Sequence, residues 1–237
     1  MNAYKAVIFD LDGTLADTIG DLTVAMNKML VSFGWKTRTR EEMLTFINQG
    51  ARAFVKQSMP SDSYKSDDDP IIDIAYDIYS KKYAEGYCVM TAPFGGMKDQ
   101  LEALKSAGYK LGVLSNKQDV FVKDIIAQLF PGIFDVVAGH STLPHKPDAA
   151  PAIDVAERLG VAPSECVFVG DSDVDMKTAN NAGMYPLGVL WGYRGIDVLV
   201  SAGAKSVVST PDGLAAKIVS LGEKDTAGFF KKLFGKK

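Results

Sequence analysis

The chain alternates short runs of almost purely apolar residues with segments in which apolar residues recur with a helical period. Uninterrupted apolar runs are typical of strands buried on both faces of a sheet, whereas a 3.6-residue period is typical of amphipathic helices. The predicted strands are residues 6–9, 111–114, 136–137, 167–169, 187–190 and 207–208. The predicted helices are residues 97–107, 120–130, 149–159, 173–182 and 213–221. This alternation predicts an α/β fold with a doubly wound parallel sheet, a Rossmann-like core.

The alternation is interrupted between about residues 18 and 87, which show helical periodicity but no strand pattern. Polar residues from Pro60 to Pro70 divide this stretch. We therefore expect a Rossmann-like core formed by residues 1–16 and 92–237, with an inserted α-helical cap formed by residues 17–91. Because the insertion leaves after the first strand, both linkers should lie beside the carboxyl end of that strand, where α/β sheets bind ligands.

Composition narrows the class of protein. Of the 237 residues, 47% are hydrophobic and 23% are charged, so the chain can bury a core, and its net charge of −3 gives no footprint for nucleic acid. Asp10 interrupts the N-terminal apolar run before a secretory signal could form, and no run reaches the length of a membrane span. We expect a cytoplasmic protein without stable membrane insertion. Cys88 and Cys166 have no disulfide or zinc spacing and are expected to be buried small hydrophobes.

Four polar clusters occur where the predicted strands end or helices begin. Their sequences are DLDGT at residues 10–14, SNK at 115–117, HKP at 145–147 and GDSDVD at 170–175. Because the carboxyl ends of parallel strands meet at one edge of a sheet, the clusters should converge on one site. The site would combine carboxylates with lysine, and carboxylate oxygens suit Mg²⁺. A phosphate and an attacking carboxylate repel each other by roughly 4 kcal/mol at about 4 Å, and Mg²⁺ and Lys146 would offset that repulsion.

Each cluster also has a simpler interpretation when taken alone. The residues after Asp10 could form a turn and a helix cap, Ser115 and Asn116 could cap a helix, and Lys146 could be an exposed loop lysine. The spacing of acidic residues from Asp171 resembles the start of an EF-hand loop, but Met176 replaces the required glycine. Four such clusters in this order favour a functional site.

The motifs DLDGT, LSN, HKPD and GDSDVD resemble, in this order, the four motifs of the haloacid dehalogenase superfamily. The helical insertion is similar to the α-helical cap of that superfamily. The stretches LADT, VLWGYRG and SAGAKSVVSTPDGL are similar to its phosphoglycolate phosphatase-like branch. The resemblance implies a Mg²⁺-dependent phosphatase that acts on a small phosphorylated metabolite, with 2-phosphoglycolate as the leading candidate, through an aspartyl-phosphate intermediate.

The resemblance also assigns catalytic and metal-binding roles. Asp10 would be the nucleophile, and Asp12 would be the general acid and base while its backbone carbonyl binds Mg²⁺. Lys146 would neutralise the charge of the attacking and transferring groups. Asp171 would be the second carboxylate on the metal, alongside Asp10, and Asp175 would support these groups from behind.

The remaining assignments concern the substrate. Backbone amides near Gly13 and Thr14 would donate to the phosphate, and Ser115 and Asn116 would position it. Arg52, in the predicted cap, is the side chain expected to pair with a substrate carboxylate, although it fits a surface position on a helix equally well.

Two other functions share much of this sequence pattern. A sugar-phosphate mutase similar to β-phosphoglucomutase would carry the same core motifs and differ in the cap, and a catalytically idle member would act as a binding or regulatory module. The intact pair of Asp10 and Asp12 argues against the idle member. The sequence is compatible with a homodimer. In the C-terminal segment, Phe229, Phe230 and Phe234 lie opposite lysines, which suggests docking on the core, fraying, or a weak membrane or partner contact.

Overall fold

A six-stranded sheet forms the centre of the computed structural model, which describes residues 3–222. Its strands are β1 (Ala6–Phe9), β4 (Lys110–Gln118), β5 (Val136–His140), β6 (Cys166–Gly170), β7 (Tyr185–Val189) and β8 (Ser206–Val208). The short strands β2 (Ala16–Asp17) and β3 (Ala92–Pro93) form a separate pair. The six strands of the sheet are ordered β5-β4-β1-β6-β7-β8, and every neighbouring pair is parallel. The predicted parallel α/β fold is confirmed.

Helices cover both faces of the sheet. They are α5 (Met97–Ser106), α6 (Asp119–Leu129), α7 (Ala150–Arg158), α8 (Asp173–Asn181), α9 (Ile196–Ser201) and a final helix, α10, at residues 214–222. Alternate residues of β1 enter two separate apolar clusters, because successive side chains of a strand point to opposite faces. Val7 and Phe9 pack with α5, α6 and α10, whereas Ala6 and Ile8 pack with α7 and α8. The core is therefore a three-layer sandwich.

The stretch without strand pattern forms four helices that pack around an apolar cluster of their own. They are α1 (Ile19–Ser32), α2 (Arg40–Phe46), α3 (Ala51–Ser58) and α4 (Pro70–Ala84). Asp69 caps α4, since its side chain accepts from the amide of Ile71 at 3.2 Å, and Pro70 occupies the first turn. We refer to α1–α4 and their connections as the helical insertion.

The two linkers that join the helical insertion to the sheet are held by hydrogen bonds. The linkers β2 (Ala16–Asp17) and β3 (Ala92–Pro93) pair as a short antiparallel ribbon, which the sequence pattern did not predict. The buried carboxylate of Asp21 in α1 accepts from the backbone amides of Val89, Met90 and Thr91, the last at 2.8 Å. The return linker is thus held against the first helix of the insertion.

The cysteines and the helix lengths bear on the predictions made from composition. Cys166 is buried as expected, whereas Cys88 is only half-buried, and neither forms a disulfide. Within residues 3–222 no helix has both the length and the apolar character needed to cross a membrane. The amphipathic segment predicted at residues 229–234 lies outside the described residues.

Candidate active site

The carboxyl edge of the sheet brings the four polar clusters together under the helical insertion. Asp10 follows β1, Ser115 and Asn116 lie within β4, and Lys146 lies in the loop before α7. All four side chains, together with that of Asp12, line a cleft of about 640 Å³ that is partly open to solvent. The helical insertion forms the opposite wall of the cleft, so the predicted convergence on one site is observed.

Lys146 is the centre of a buried charge network. Its Nζ lies 2.8 Å from Asp10 Oδ1 and 2.7 Å from Asp175 Oδ1, and it donates to the carbonyl of Leu114 at 3.2 Å. Burial lowers the pKa of Lys146, but the negative charges of Asp10 and Asp175 raise it by more, so this pKa lies above its ordinary value. Lys146 therefore remains a cation throughout the physiological pH range.

Three buried carboxylates surround that single cation. Oxygens of Asp10, Asp171 and Asp175 all lie within 4.8 Å of one another. Burial raises the pKa of Asp10 well above its usual range, although Lys146 counteracts this, and burial with the neighbouring Asp175 raises the pKa of Asp171 to about 7. With all three carboxyl groups ionised, the cluster would carry more negative charge than Lys146 alone can balance, and its donors are all oxygens. This donor set fits a hard divalent cation such as Mg²⁺.

Asp171 is held by groups from both sides of the site. Its Oδ1 accepts from the hydroxyl of Thr14 at 3.1 Å, and its Oδ2 accepts from the backbone amide of Tyr193 at 2.7 Å. Gly13 has a φ of +87°, and a Cβ at this position would lie 2.4 Å from Asp171 Oδ2. Only glycine allows the loop after β1 to pass this close to the carboxylate.

Asp12 also lines the cleft and has a cation of its own. Its Oδ1 accepts from the hydroxyl of Thr18 and lies 3.0 Å from Lys117 Nζ. Lys117 also donates to the hydroxyl of Tyr83 in the helical insertion at 3.0 Å. The sequence pattern included Lys117 in a polar cluster but gave it no role, because its distance from Asp12 depends on the fold.

Two of the side chains expected to bind phosphate have partners within the protein. Asn116 forms two hydrogen bonds with the backbone of Lys146. Its Oδ1 accepts from the backbone amide of Lys146 at 2.8 Å, and its Nδ2 donates to the backbone carbonyl of Lys146 at 3.0 Å. The hydroxyl oxygen of Ser115 accepts from the amide of Lys117 at 3.2 Å. Ser115 retains a hydroxyl hydrogen that can be donated into the cleft, so it is the better candidate for a phosphate contact.

The backbone amides of Gly13 and Thr14, which were predicted to donate to the phosphate, have acceptors within the protein. The amide of Gly13 donates to the carbonyl of Ala16 at 3.0 Å, and that of Thr14 donates to the carbonyl of Leu11 at 3.3 Å. The Thr14 hydroxyl is used by Asp171. These residues shape the loop and hold Asp171, and their donors are already occupied.

Arg52, predicted either to pair with a substrate carboxylate or to occupy a helix surface, lies on the surface of α3. Its Nε donates to Asp73 Oδ1 at 2.7 Å, one of its terminal nitrogens donates to the carbonyl of Asp67, and its side chain is 44% exposed. Ala51 and Phe54 of the same helix line the cleft, but Arg52 does not. Neighbouring positions on a helix point about 100° apart, so Arg52 faces α4 instead of the cleft.

The wall formed by the helical insertion and α6 is mainly apolar and aromatic. Its large side chains are Leu22, Ile47, Phe54, Tyr79, Tyr83 and Phe121. Two polar atoms of cleft residues, Asn48 Nδ2 and Ser80 Oγ, are buried without a hydrogen-bond partner in the described part of the chain. Asn48 also has a φ of +93°, which is uncommon for a residue with a side chain. The wall thus suits a small ligand with few polar groups.

The fold, the four clustered motifs and the buried carboxylates define a hydrolase of the haloacid dehalogenase type. The chain matches the haloacid dehalogenase-like hydrolase family over residues 7–189, and it belongs to that family. It is 34% identical over 193 residues to the phosphoglycolate phosphatase of Nitrosospira multiformis, covering 80% of this chain and 85% of the relative. It is 33% identical over 191 residues to that of Aquifex aeolicus, covering 80% and 86%.

Solved structures agree with the sequence comparison. A crystal structure from Lactobacillus delbrueckii subsp. bulgaricus, provisionally described as a phosphoglycolate phosphatase, superposes with a TM-score of 0.84 at 30% sequence identity. The match covers 92% of this chain and 99% of the other.

Proposed function

We propose that this protein is a Mg²⁺-dependent phosphatase that hydrolyses 2-phosphoglycolate through an aspartyl-phosphate intermediate. The observation that carries the proposal is the position of Asp10, which is buried, lies 2.8 Å from Lys146 and lines the same cleft as Asp12. The names of the relatives support the choice of substrate.

In the proposed reaction, Asp10 attacks phosphorus. Lys146 holds Asp10 Oδ1, while Oδ2 has no hydrogen-bond partner among residues 3–222 and is left to form the new bond. As the bond between phosphorus and the ester oxygen breaks, Asp12 donates a proton to the departing alcohol. Asp12 then takes a proton from water, and the resulting hydroxide attacks phosphorus, which releases phosphate and restores Asp10.

The charge of the site supports phosphoryl transfer. Lys146 offsets the repulsion between Asp10 and the incoming phosphate, and Asp175 fixes Lys146 from the far side at 2.7 Å. The carboxylates of Asp10 and Asp171 and the backbone carbonyl of Asp12 would hold Mg²⁺. When bound, Mg²⁺ would neutralise charge on the transferring phosphoryl group.

The cleft favours the phosphatase over the mutase alternative. A mutase has to hold a sugar ring by several polar groups and keep water away from the phosphorylated enzyme. The wall opposite Asp10 carries large apolar side chains such as Leu22, Ile47 and Phe54, and the cleft is partly open to solvent. Water can therefore reach the intermediate once a small alcohol has left. The presence of both Asp10 and Asp12 in the cleft argues against a catalytically idle protein.

Replacement of the nucleophile tests the proposal. With Mg²⁺ and 2-phosphoglycolate, we expect Asp10→Asn to retain less than about 1% of the wild-type turnover, because an amide is a far weaker nucleophile than a carboxylate. The variant should fold, since burial penalises the charge that the substitution removes. Asp154→Asn, which alters an exposed ion pair with Arg158, is the matched control and should keep full activity. Substantial phosphate release by folded Asp10→Asn would refute the proposal.

A further inference from the structure

Lys117 is a buried cation at the boundary between the sheet and the helical insertion. It lies near the end of β4, lines the cleft and is 8% exposed. Its Nζ is 3.0 Å from Asp12 Oδ1 and 3.0 Å from the hydroxyl of Tyr83, whose ring centroid lies 4.9 Å from the same nitrogen. The mechanism described above gives Lys117 no task.

The two lysines that line the cleft differ in their free hydrogen-bonding capacity. An ammonium group has three N–H donors. Lys146 uses all of them, on Asp10, Asp175 and the carbonyl of Leu114. Lys117 has only Asp12 and Tyr83 as polar partners of its Nζ within the described residues. One N–H of Lys117 thus remains for a ligand, and no arginine lines the cleft in the described part of the chain.

The distance from Lys117 to Asp12 matches the chemistry of the proposed substrate. In the proposed reaction Asp12 protonates the ester oxygen, and in 2-phosphoglycolate the carboxylate carbon is only two bonds from that oxygen. A carboxylate so close to the ester oxygen has to lie near Asp12, where it would meet a second negative charge once Asp12 has given its proton to the ester oxygen. Lys117 is the cation at that position. We propose that Lys117 binds the substrate carboxylate and selects phosphomonoesters that carry an acidic group next to the ester carbon.

This inference rests on the proposed function and deepens it, since it concerns the substrate class of the same cleft. The surroundings of Lys117 strengthen it. Tyr83 orients the ammonium, and Phe121 and Tyr79 complete an apolar wall in which an ion pair is weakened less by water than at the surface. Lys117 would keep Asp12 as a partner while it donates its remaining N–H to the substrate carboxylate.

The test compares two substrates that differ only in the carboxylate. For wild type and Lys117→Met, kcat and KM are measured with 2-phosphoglycolate and with ethyl phosphate, in the presence of Mg²⁺. We expect the ratio of kcat/KM for 2-phosphoglycolate over ethyl phosphate to fall about 10- to 100-fold in the variant, as is typical for loss of a hydrogen bond to a charged group. The matched control is Arg52→Met, which removes a cation that faces away from the cleft and should leave the ratio unchanged.

A binding measurement separates this role from an effect of Lys117 on Asp12. Glycolate, the carboxylated product, should inhibit hydrolysis of p-nitrophenyl phosphate at least about 10-fold more weakly in Lys117→Met, whereas inhibition by orthophosphate should be unchanged. If Lys117→Met does not fold, Lys117→Gln provides the same comparison with a neutral donor.

The outcomes distinguish the inference from the proposed function. Equal losses of kcat/KM for both substrates, with unaltered glycolate inhibition, would overturn the inference and leave the phosphatase intact. A wild-type protein that shows no preference for 2-phosphoglycolate over ethyl phosphate would also overturn it. Failure of the proposed function would appear differently, as the absence of Mg²⁺-dependent turnover of both substrates by the wild type.

Discussion

Replacement of Lys146 by methionine is the most informative perturbation of the charge network. The substitution keeps an unbranched side chain of similar length and removes the ammonium that lies 2.8 Å from Asp10 and 2.7 Å from Asp175. The side chains of all three residues are at most 5% exposed, so water cannot replace the lost partner. Without a metal, the variant therefore leaves three buried carboxylates, including Asp171, with no cation among them.

The expected cost can be estimated from the burial of the pair. Removing one partner of a buried ion pair costs about 3–5 kcal/mol, and about 1 kcal/mol shifts the melting temperature of a protein of this size by roughly 2–4 °C. We expect Lys146→Met to melt about 6–20 °C below wild type in chelator at pH 8. Lys146 normally counteracts the rise in the pKa of Asp10. Its loss raises that pKa further, so the deficit should shrink at pH 5, where the carboxylate is protonated in the folded variant.

Thermal unfolding measured by circular dichroism at both pH values tests this estimate. Lys177→Met is the matched control, because Lys177 forms an ion pair with Asp173 at 2.6 Å but is exposed at 51% of its side chain. An exposed pair contributes about 0.2–1 kcal/mol, so this control should change the melting temperature by less than about 4 °C. Equal deficits for the two variants, or a deficit for Lys146→Met that does not depend on pH, would refute the reasoning.

Two further predictions concern Asp171 and the loop that contacts it. In chelator, the stability of Asp171→Asn relative to wild type should increase between pH 5 and pH 8. The reason is that a carboxyl group whose folded-state pKa is about 7 becomes charged while buried as the pH rises, whereas an amide does not. The Mg²⁺ requirement of the variant, measured as the half-activating concentration, should rise at least about 10-fold. Gly13→Ala should lower the melting temperature and raise the Mg²⁺ requirement together, since its Cβ would lie 2.4 Å from Asp171 Oδ2. Gly34 has a similar φ of +71°, but a Cβ at this position would have no neighbour within 4 Å, so Gly34→Ala should lose stability without a change in its Mg²⁺ requirement. An unchanged Mg²⁺ requirement in Gly13→Ala would contradict this explanation.

Local patterns were sufficient to predict the sheet because its strands are buried on both faces. Every predicted strand forms, and the largest difference is that β4 continues to Gln118 instead of ending at Leu114. Ser115, Asn116 and Lys117 are polar, so an apolar run cannot reveal them, yet they continue the strand and are buried. The polar end of β4 is the part of the strand that lines the cleft, which is why hydrophobic periodicity stops where the site begins.

The helical insertion shows what the sequence alone leaves open. By charge, Arg52 suits either a substrate carboxylate or the surface of a helix. The rotation of α3 decides which of its residues face the cleft, and Arg52 instead forms an ion pair with Asp73. Lys117, one of the two lysines that line the cleft, lies in β4 and donates to the hydroxyl of Tyr83, which is 34 residues away in the chain. Tyr193 is a comparable case, since its amide holds Asp171 and its hydroxyl accepts from the amide of Thr18 at 3.0 Å. Tyr193 thus links a candidate metal ligand to the start of the helical insertion, and this link joins residues too far apart in the chain for a local pattern to predict.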